Sequence, residues 1–561
     1  MSDVRPVVRI GQGALRGSDT GSGGGDGDGP ATGVTAFKNI PYAAAPVGPL
    51  RFAAPTPAPS WDGTRDADRF GPSAPQARPA EGAGLDLAPV LSASGVPGPD
   101  YLTVNVWTPD AATSGLPVMV FLHGGGFVIG SSSSRVYDGT RFAQDGVVLV
   151  TLNYRLGAHG FTAMPGVPTN LGLRDQIAAL TWVRENIGAF GGDADRVTVC
   201  GQSAGAISVC SLLAAPQARG LFRGAVSQSG GGHVLSYRQA AYVAEALADH
   251  LGVPATRQGL ESLTDDQLAQ GAARLRAMML DLNLDGERDP LCGLTPFGPV
   301  LDGELLDAQP VEAVRAGAAA GVRLLAGTNS GEANLYTTGP LAPAPDEDRL
   351  MHQIRRLHPD PKAVVTAYRS AGRADDPASV LSAVITDRMF AVPTRRLVDA
   401  HAMAGLGEAG LSEAGLSEAG QAETGQTETG NSETGNSETG QAGPGRGNGT
   451  WTYEFAWPSP QFDGRLGSCH ALELPFVFDY RGDDLTGPRG ALGPAATLRD
   501  PAVADLFTRV HDAWTRFATF GDPGWPACTP TRHVAQRLHT VDYGPREDPG
   551  GPELAVWDGR R

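Results

Sequence analysis

The stretch that most constrains the fold is Arg196–Leu213, which reads RVTVCGQSAGAISVCSLL. It begins with apolar and β-branched residues typical of a buried strand and ends with small residues that suit a helix. Between them lies the pattern G-x-S-x-G, residues 201–205, with Ser203 at its centre. A strand–turn–helix of this kind strains the backbone of the central serine and exposes its hydroxyl above the sheet edge. Ser203 is therefore a candidate nucleophile.

The surroundings of this pattern predict the fold class. Continuous apolar runs bounded by turn residues predict strands at Leu116–Leu122, Val147–Asn153, Val197–Gly201, Phe222–Gln228, Val322–Thr328 and Trp451–Trp457. Amphipathic spacing predicts helices at Leu173–Phe190 and Pro501–Phe520. Strands that alternate with helices indicate an α/β fold with a mostly parallel central sheet flanked by helices. Ligands bind such sheets at the carboxyl ends of the strands, and Ser203 follows one of these ends.

The charge of the chain bears on its partners and location. The formal net charge is −17, from 44 basic and 61 acidic residues, and the basic residues form no stripe. Nucleic acid and anionic membrane surfaces are therefore not expected as partners. The N-terminus does not read as a secretion signal, and no stretch approaches the ~18 apolar residues of a membrane span. We expect a cytoplasmic monomer or weak homo-oligomer with no membrane association.

The cysteines favour free thiols. Five are present, an odd number with no C-x-x-C pair, at positions Cys200, Cys210, Cys292, Cys469 and Cys528. A disulfide framework or a zinc site would need paired or clustered cysteines. We therefore expect buried or half-buried free thiols, no metal and no cofactor.

A short repeat interrupts the patterned sequence near its end. Residues 405–439 contain seven copies of G-x-x-E-[A/T]. A period of five matches neither a helix nor a strand, so the repeat presents no apolar face to a core. We predict that residues 405–447 form a disordered low-complexity insertion; a partner-binding segment is the alternative.

A serine nucleophile needs donors for the oxyanion that it creates. The predicted strand Leu116–Leu122 is followed directly by HGGGF, residues 123–127. Consecutive glycines leave backbone N–H groups unshielded, and a loop of this kind supplies donors beside a G-x-S-x-G turn. The N–H of Ala204 supplies another donor. A plain glycine turn is the alternative, but the joint occurrence of the two motifs favours the donor loop.

The nucleophile also needs a base and an acid. In chain order Ser…Asp/Glu…His, the base is a later histidine, and His470 stands out because it precedes the apolar run Leu472–Phe478. Two acids fit between them. Glu332 follows the predicted strand Val322–Thr328, and Asp302 lies in the segment PVLDG. Spacing alone leaves both open.

Motifs along nearly the whole chain carry a family resemblance. They are AFKNIPYAAAPVGPLRF, LTVNVWTP, VFLHGGGFVIGS, NYRLGAHGF, NLGLRDQIAALTWVRENIGAFGGDADRVTVCGQSAGA, QSG, PVLDG, GTNSGEAN and CHALELPFVF. The sequence resembles type-B carboxylesterases, and its pattern is most similar to that of bacterial p-nitrobenzyl esterases. The resemblance implies one α/β-hydrolase domain over residues 1–561, with long insertions, that cleaves carboxylic esters through an acyl-enzyme.

The resemblance also implies roles for individual residues. A Ser-Glu-His triad would consist of Ser203 as nucleophile, Glu332 as acid and His470 as base. The oxyanion hole would be formed by Gly125, Gly126 and Ala204, and the supporting residues would be Ser229 and Gln202.

The sequence departs from the family pattern at several positions. The usual E-D-C-L reads Pro99–Leu102 (PDYL), and Ala74 replaces the partner cysteine, as suits a reducing compartment. Gln202 replaces the commoner glutamate. The choline-binding tryptophan of cholinesterases has no counterpart between Gln76 and Asp100. We therefore expect neutral esters with small to medium acyl groups rather than cationic ones.

Two classes of function fit the motifs. One is a serine ester hydrolase, with a lipase or an amidase as its nearest variants. The other is a catalytically inactive binding module of the same fold. Inactive relatives have usually lost the triad, whereas Ser203, Glu332, His470 and the glycine loop are all present here. The sequence therefore favours the enzyme.

Overall fold

The computed structural model describes residues 5–20, 33–77, 84–290, 293–337, 345–419, 449–547 and 551–558. Within these ranges the strands are β1 (Val7–Ile10), β2 (Gly13–Arg16), β3 (Ser18–Asp19), β4 (Thr35–Pro41), β5 (Thr64–Asp66), β6 (Thr103–Thr108), β7 (Leu116–Leu122), β8 (Val148–Leu152), β9 (Gly192–Gln202), β10 (Gly224–Gln228), β11 (Leu235–Ser236), β12 (Val300–Leu301), β13 (Arg323–Asn329), β14 (Thr450–Phe455), β15 (Val534–Leu538) and β16 (Gly544–Glu547).

The α-helices of the same ranges are α1 (Ala88–Leu91), α2 (Thr140–Gln144), α3 (Gly157–Phe161), α4 (Leu171–Asn186), α5 (Ala204–Ala214), α6 (Tyr237–Leu251), α7 (Arg257–Glu261), α8 (Asp265–Ala277), α9 (Pro310–Arg315), α10 (Asn334–Thr337), α11 (Glu347–Leu357), α12 (Pro361–Ser370), α13 (Pro377–Thr386), α14 (Val392–Ala419), α15 (Leu474–Val477) and α16 (Pro501–Phe520).

Eleven strands form one central sheet. Their order is β16-β15-β14-β13-β10-β9-β7-β8-β6-β4-β3. The neighbouring strands from β15 to β8 pair in parallel, and antiparallel pairs lie at both edges. The prediction of a mostly parallel sheet flanked by helices is confirmed.

Strand β7 shows why the central strands are apolar throughout. Successive side chains of a strand point to opposite faces of the sheet. Val118 and Val120 therefore pack into the core that contains α4 and α5, whereas Met119 and Phe121 pack into the core that contains α16. Both faces are covered by helices, so every position from 117 to 122 is buried.

The predicted element bounds agree with those of the structure to within two residues, except for β9, which begins at Gly192 rather than at Val197. Strand β7 and helix α16 have the predicted limits. The helix predicted over Leu173–Phe190 is α4, which continues into a 3-10 turn at Ile187–Phe190. Gly191 ends that turn with a φ of 84°, a left-handed conformation that glycine adopts at little cost.

The predicted insertion over residues 405–447 is only partly described. The backbone of α14 continues to Ala419, so residues 405–419 are helical where the sequence predicts irregular chain. Alanine, leucine and glutamate have high helix propensity, and an existing helix is extended more easily than a new one is nucleated. Residues 420–447 lie outside the described residues, and disorder there stays a prediction, as does the single domain over residues 1–561.

The described part of the chain contains neither a disulfide nor a candidate membrane span. Three of its cysteines, Cys200, Cys210 and Cys469, are buried free thiols, as predicted, and Cys528 is buried as well. The fifth, Cys292, lies outside the described residues. None of the described helices is both long and apolar enough to cross a membrane.

A buried ion pair fixes the chain after β8 to helix α4. Nη2 of Arg155 lies 2.6 Å from Oδ1 of Asp175, and its Nε donates to Oδ2 at 2.8 Å. Neither side chain is exposed to solvent. Arg155 also donates from Nη1 to the carbonyl of Ala53 at 2.7 Å. Loss of one partner would leave an uncompensated buried charge.

We expect Asp175→Asn to lower the free energy of unfolding by about 3–5 kcal/mol, since Arg155 would keep its charge without a counterion. Equilibrium urea unfolding measures this loss. The control is Glu261→Gln, which breaks the exposed pair of Arg257 Nε and Glu261 Oε1, 2.7 Å apart. Its expected loss is below about 1 kcal/mol. Equal small losses in both variants would contradict the argument.

Candidate active site

The predicted site residues meet at the carboxyl edge of the parallel sheet. The glycine loop 123–127 follows β7, Ser203 follows β9 and Ser229 follows β10. Glu332 lies just beyond the end of β13, and His470 lies in the segment after β14. Because parallel strands end at the same edge, residues far apart in the sequence are brought together there.

Ser203 occupies a strained turn between β9 and α5. Its φ is 56° and its ψ is −121°, a conformation that non-glycine residues rarely adopt. Its N–H donates to the carbonyl of Gln228 at 2.9 Å. Gly205 allows the helix to pack this closely, because a Cβ there would collide with the carbonyl oxygen of Leu122. The strained turn predicted from G-x-S-x-G is present.

His470 is held by a buried carboxylate. Its Nδ1 lies 2.7 Å from Oε2 of Glu332, a residue with no solvent exposure. Oε1 of Glu332 accepts from the N–H of Asn329 at 2.8 Å. The backbone N–H of His470 donates to the carbonyl of Glu332 at 3.1 Å. Since a carboxylate accepts from Nδ1–H, the lone pair of the neutral imidazole lies on Nε2.

Asp302, the other acid left open by the spacing, belongs to a turn. Its Oδ2 accepts from the hydroxyl of Thr169 at 2.6 Å and from the side-chain amide of Asn170 at 2.8 Å. Its Oδ1 accepts from the N–H of Leu306 at 3.0 Å. These contacts occupy both oxygens, so Glu332, not Asp302, is the acid beside His470.

Gln202 contacts His470 from the other side of the ring. Its amide nitrogen lies 3.3 Å from Nε2 of His470. The Gln202 side chain is buried, and it carries no charge where the commoner family residue would be a carboxylate. His470 therefore has a polar neighbour at each ring nitrogen, Glu332 at Nδ1 and Gln202 at Nε2.

The glycine loop leaves donors free beside Ser203. The carbonyl of Gly125 accepts from Val128 and Ile129, and that of Gly126 accepts from the hydroxyl of Thr295 at 2.6 Å. The N–H groups of Gly125 and Gly126, by contrast, have no acceptor within the described ranges. A third N–H, that of the first residue of α5, has no acceptor within its helix. Three donors are thus available in residues that line the same cavity as Ser203.

Ser229, the last of the predicted supporting residues, follows β10 with a φ of 59°. It is almost fully buried, and its N–H donates to the carbonyl of Gly327 at 2.9 Å. Its hydroxyl has no hydrogen-bond partner among the described residues, and the residue lines the same cavity as Ser203. Ser229 is therefore part of the cavity wall behind the nucleophile candidate.

A cavity of about 420 Å³ connects these groups. Ser203, His470, Gly125, Gly126 and Ala204 all line it. Most of the remaining wall is apolar and includes Leu85, Leu87, Phe127, Ile207, Leu335 and Phe390. The Phe390 ring lies 4.9 Å from that of His470, so the catalytic candidates open into an apolar space.

Two ionisable groups of the site were not predicted from the sequence. Glu473 is fully buried and accepts from the side-chain amides of Asn329 at 2.7 Å and Gln228 at 3.2 Å. A carboxylate inside an apolar run, three residues after His470, is a sequence signal that could have identified it. Arg276 also lines the cavity, at the end of α8. Nothing in the sequence around Arg276 marks it as a cavity residue, because a second arginine, Arg274, lies two positions earlier on the same helix.

Burial raises the pKa of Glu473 to about 7, and the nearby charge of Glu332 acts in the same direction. The ordinary pKa is 4.5, so the folded protein favours the protonated form. Protonation of Glu473 therefore stabilises the folded protein. This contribution to the free energy of unfolding is fully present below the ordinary pKa, and it is lost as the pH rises through the pKa of the folded protein.

We therefore expect Glu473→Gln, which is permanently neutral, to gain stability relative to the wild type between pH 5 and pH 8. Over this pH range, the free energy of unfolding of the variant minus that of the wild type should rise by on the order of 3 kcal/mol. Urea unfolding at several pH values measures it, with the exposed-site variant Glu261→Gln as control. Parallel curves for wild type and Glu473→Gln would contradict the assignment.

The fold and site together define a class of protein. A mostly parallel sheet with a strained serine turn, a buried acid–histidine pair and a glycine loop at its carboxyl edge is the arrangement of serine hydrolases with the α/β-hydrolase fold. The model of the carboxylesterase family matches residues 4–408. The chain belongs to the carboxylesterase family.

Individual relatives agree with this assignment. The para-nitrobenzyl esterase of Bacillus subtilis (strain 168) is 35% identical over 509 residues, which cover 88% of this chain and 89% of the relative. The phenmedipham hydrolase of Pseudarthrobacter oxydans is 32% identical over 502 residues, covering 88% and 87%. A solved structure of a PNB esterase superposes with a TM-score of 0.76 at 30% identity, covering 98% of this chain and 99% of that one.

These comparisons confirm the resemblance derived from the motifs and the α/β-hydrolase fold that it implies. They also separate the two classes of function. The chain is a carboxylic-ester hydrolase that acts on small-molecule esters, and the inactive binding module is not supported.

Proposed function

We propose that ester cleavage is carried out by Ser203 as nucleophile, His470 as general base and Glu332 as the acid that orients it. The observation that carries the proposal is the 2.7 Å contact between Nδ1 of His470 and a fully buried carboxylate. That contact sets the tautomer in which Nε2 can accept a proton, and His470 shares the cavity with Ser203.

The reaction then follows from the positions of these groups. The Ser203 hydroxyl attacks the ester carbonyl carbon while its proton passes to Nε2 of His470. The oxyanion is stabilised by the N–H groups of Gly125, Gly126 and Ala204. The carbon–oxygen bond to the alcohol breaks, and His470 returns the proton to the departing alcohol. Water repeats the cycle on the acyl-enzyme, so the chemistry uses no metal or cofactor.

The supporting residues position this machinery. The amide nitrogen of Gln202 lies 3.3 Å from Nε2 of His470 and adds no negative charge beside the nucleophile. Thr295 fixes the carbonyl of Gly126 and with it the orientation of the glycine loop. Ser229 closes the cavity behind Ser203.

The cavity supports a substrate class as well. Its volume of about 420 Å³ suits a small to medium ester, and its wall is mostly apolar. Each buried methylene of an acyl chain contributes about 0.8 kcal/mol. We propose neutral esters with small to medium acyl groups as substrates in preference to cationic ones, because no tryptophan lines the cavity among the described residues.

We also propose a cytoplasmic monomer or weak homo-oligomer without nucleic-acid partners. The net charge of −17 disfavours binding to nucleic acid. The free thiols at Cys200, Cys210 and Cys469 fit a reducing compartment.

Replacement of Ser203 by alanine should lower kcat for p-nitrophenyl acetate by about 10⁴-fold or more, because the attacking oxygen is lost. The urea midpoint should stay close to that of the wild type. An organophosphate should add once, on Ser203, as located by mass spectrometry. Near wild-type turnover by the variant, or an adduct elsewhere, would show that another residue is the nucleophile.

The charge preference is tested with two esters of the same shape. We expect kcat/KM for 3,3-dimethylbutyl butyrate to exceed that for butyrylcholine, its cationic isostere. The described cavity wall offers no tryptophan face, and a cation–π contact is worth only ~0.5–2 kcal/mol even where one exists. Faster hydrolysis of the choline ester would mean that the cavity has been misread.

A further inference from the structure

Arg276 places a positive charge in the active-site cavity. It lies in the last turn of α8, and its side chain lines the same cavity as Ser203 and His470. The guanidinium carbon lies 3.6 Å from the point where a Cβ on Gly126 would stand. The cation is therefore adjacent to the loop that supplies the oxyanion donors.

Within the described ranges, this cation has no acidic partner. Arg276 makes no ion pair there, whereas Arg155 and Arg51 pair with Asp175 and Asp265 at 2.6 and 2.7 Å. Burial lowers the pKa of Arg276, and a negative charge on Tyr336 would raise it. A guanidinium stays protonated even so.

An unpaired cation in a half-buried position loses part of its hydration without gaining a counterion. The guanidinium presents a planar fork of donors that matches the two oxygens of a carboxylate. A carboxylate on a bound molecule would supply the missing counterion.

We propose that Arg276 binds a free carboxylate carried by the ester substrate, so that esters with a second, ionised carboxyl group are preferred over matched neutral esters. The inference rests on the proposed function, since the scissile bond must lie at Ser203 in the same cavity. The proposed order of substrate preference is then anionic esters first, neutral esters second and cationic esters last. The same positive charge disfavours a choline ester.

The geometry limits where the carboxylate can be. The ester carbonyl oxygen occupies the donors of Gly125 and Gly126, and Arg276 lies beside Gly126. The second carboxyl group must then be separated from the scissile carbonyl by a short chain. It can belong to the acyl part, as in a monoester of a dicarboxylic acid, or to the alcohol part, and paired substrates separate the two.

The acyl pair is mono-4-nitrophenyl adipate and the corresponding adipamate, in which a neutral amide replaces the carboxylate. The alcohol pair is 4-acetoxybenzoate and 4-acetoxybenzamide. The readout is the ratio of kcat/KM for the anionic to the neutral member of each pair. This ratio does not depend on how much of a preparation is folded. The wild type should prefer the anionic member in at least one pair, and that pair identifies the part that contacts Arg276.

Arg276→Gln should lower this ratio by about tenfold or more, chiefly through KM, because a charge-assisted hydrogen bond is lost. Arg276→Lys keeps the charge without the fork and should give an intermediate ratio. The control is Arg274→Gln, which removes the same charge two residues earlier on the same helix turn, at an exposed position. Its ratio should equal that of the wild type.

A ratio that is the same in Arg276→Gln as in the wild type would overturn the proposal, as would an equal fall in Arg274→Gln. Wild-type preference for the neutral member in both pairs would overturn it too. Ser203→Ala distinguishes these failures from failure of the proposed function. If hydrolysis depends on Ser203 but the ratio is unchanged in Arg276→Gln, only the carboxylate site is refuted. If hydrolysis survives Ser203→Ala, the triad assignment is refuted.

Discussion

The burial of the Glu332 carboxylate is the constraint that organises the site. A carboxylate without solvent must receive hydrogen bonds from the protein, since an isolated buried charge is very costly. The N–H of Asn329 and Nδ1 of His470 supply those bonds at 2.8 and 2.7 Å. The same contacts that satisfy the carboxylate therefore fix the position and tautomer of the histidine.

A second buried carboxylate makes this arrangement asymmetric. Glu473 shares Asn329 with Glu332, through the side-chain amide rather than the backbone. A carboxylate in a low-dielectric region is harder to ionise when a second carboxylate lies nearby, which is the position of Glu473. Glu332 has His470, and the pKa of Glu473 is raised accordingly. A protonated Glu473 adds no second negative charge beside the Glu332–His470 pair.

The sequence predicts those parts of the site that local chemistry specifies. The G-x-S-x-G turn identifies Ser203, because its strain and close packing arise within five residues. The choice between Glu332 and Asp302 could not be made from spacing, since it depends on which loop reaches His470 in three dimensions. Arg276 could not be predicted at all, because nothing near it on α8 separates a cavity-lining arginine from the exposed Arg274. Its role depends on how α8 packs beside the glycine loop, a tertiary contact.

Net charge and cavity charge also have to be considered separately. The chain carries −17 overall, which indicates repulsion of anions, yet the described cavity wall contains the Arg276 cation. Exposed charges are screened over about 8 Å at physiological ionic strength, whereas a charge in a narrow, largely apolar cavity is screened far less. The cation nearest the reacting ester therefore outweighs many distant surface carboxylates. The composition of a chain is informative about its macromolecular partners, and the unpaired Arg276 cation in the cavity wall is informative about its substrate.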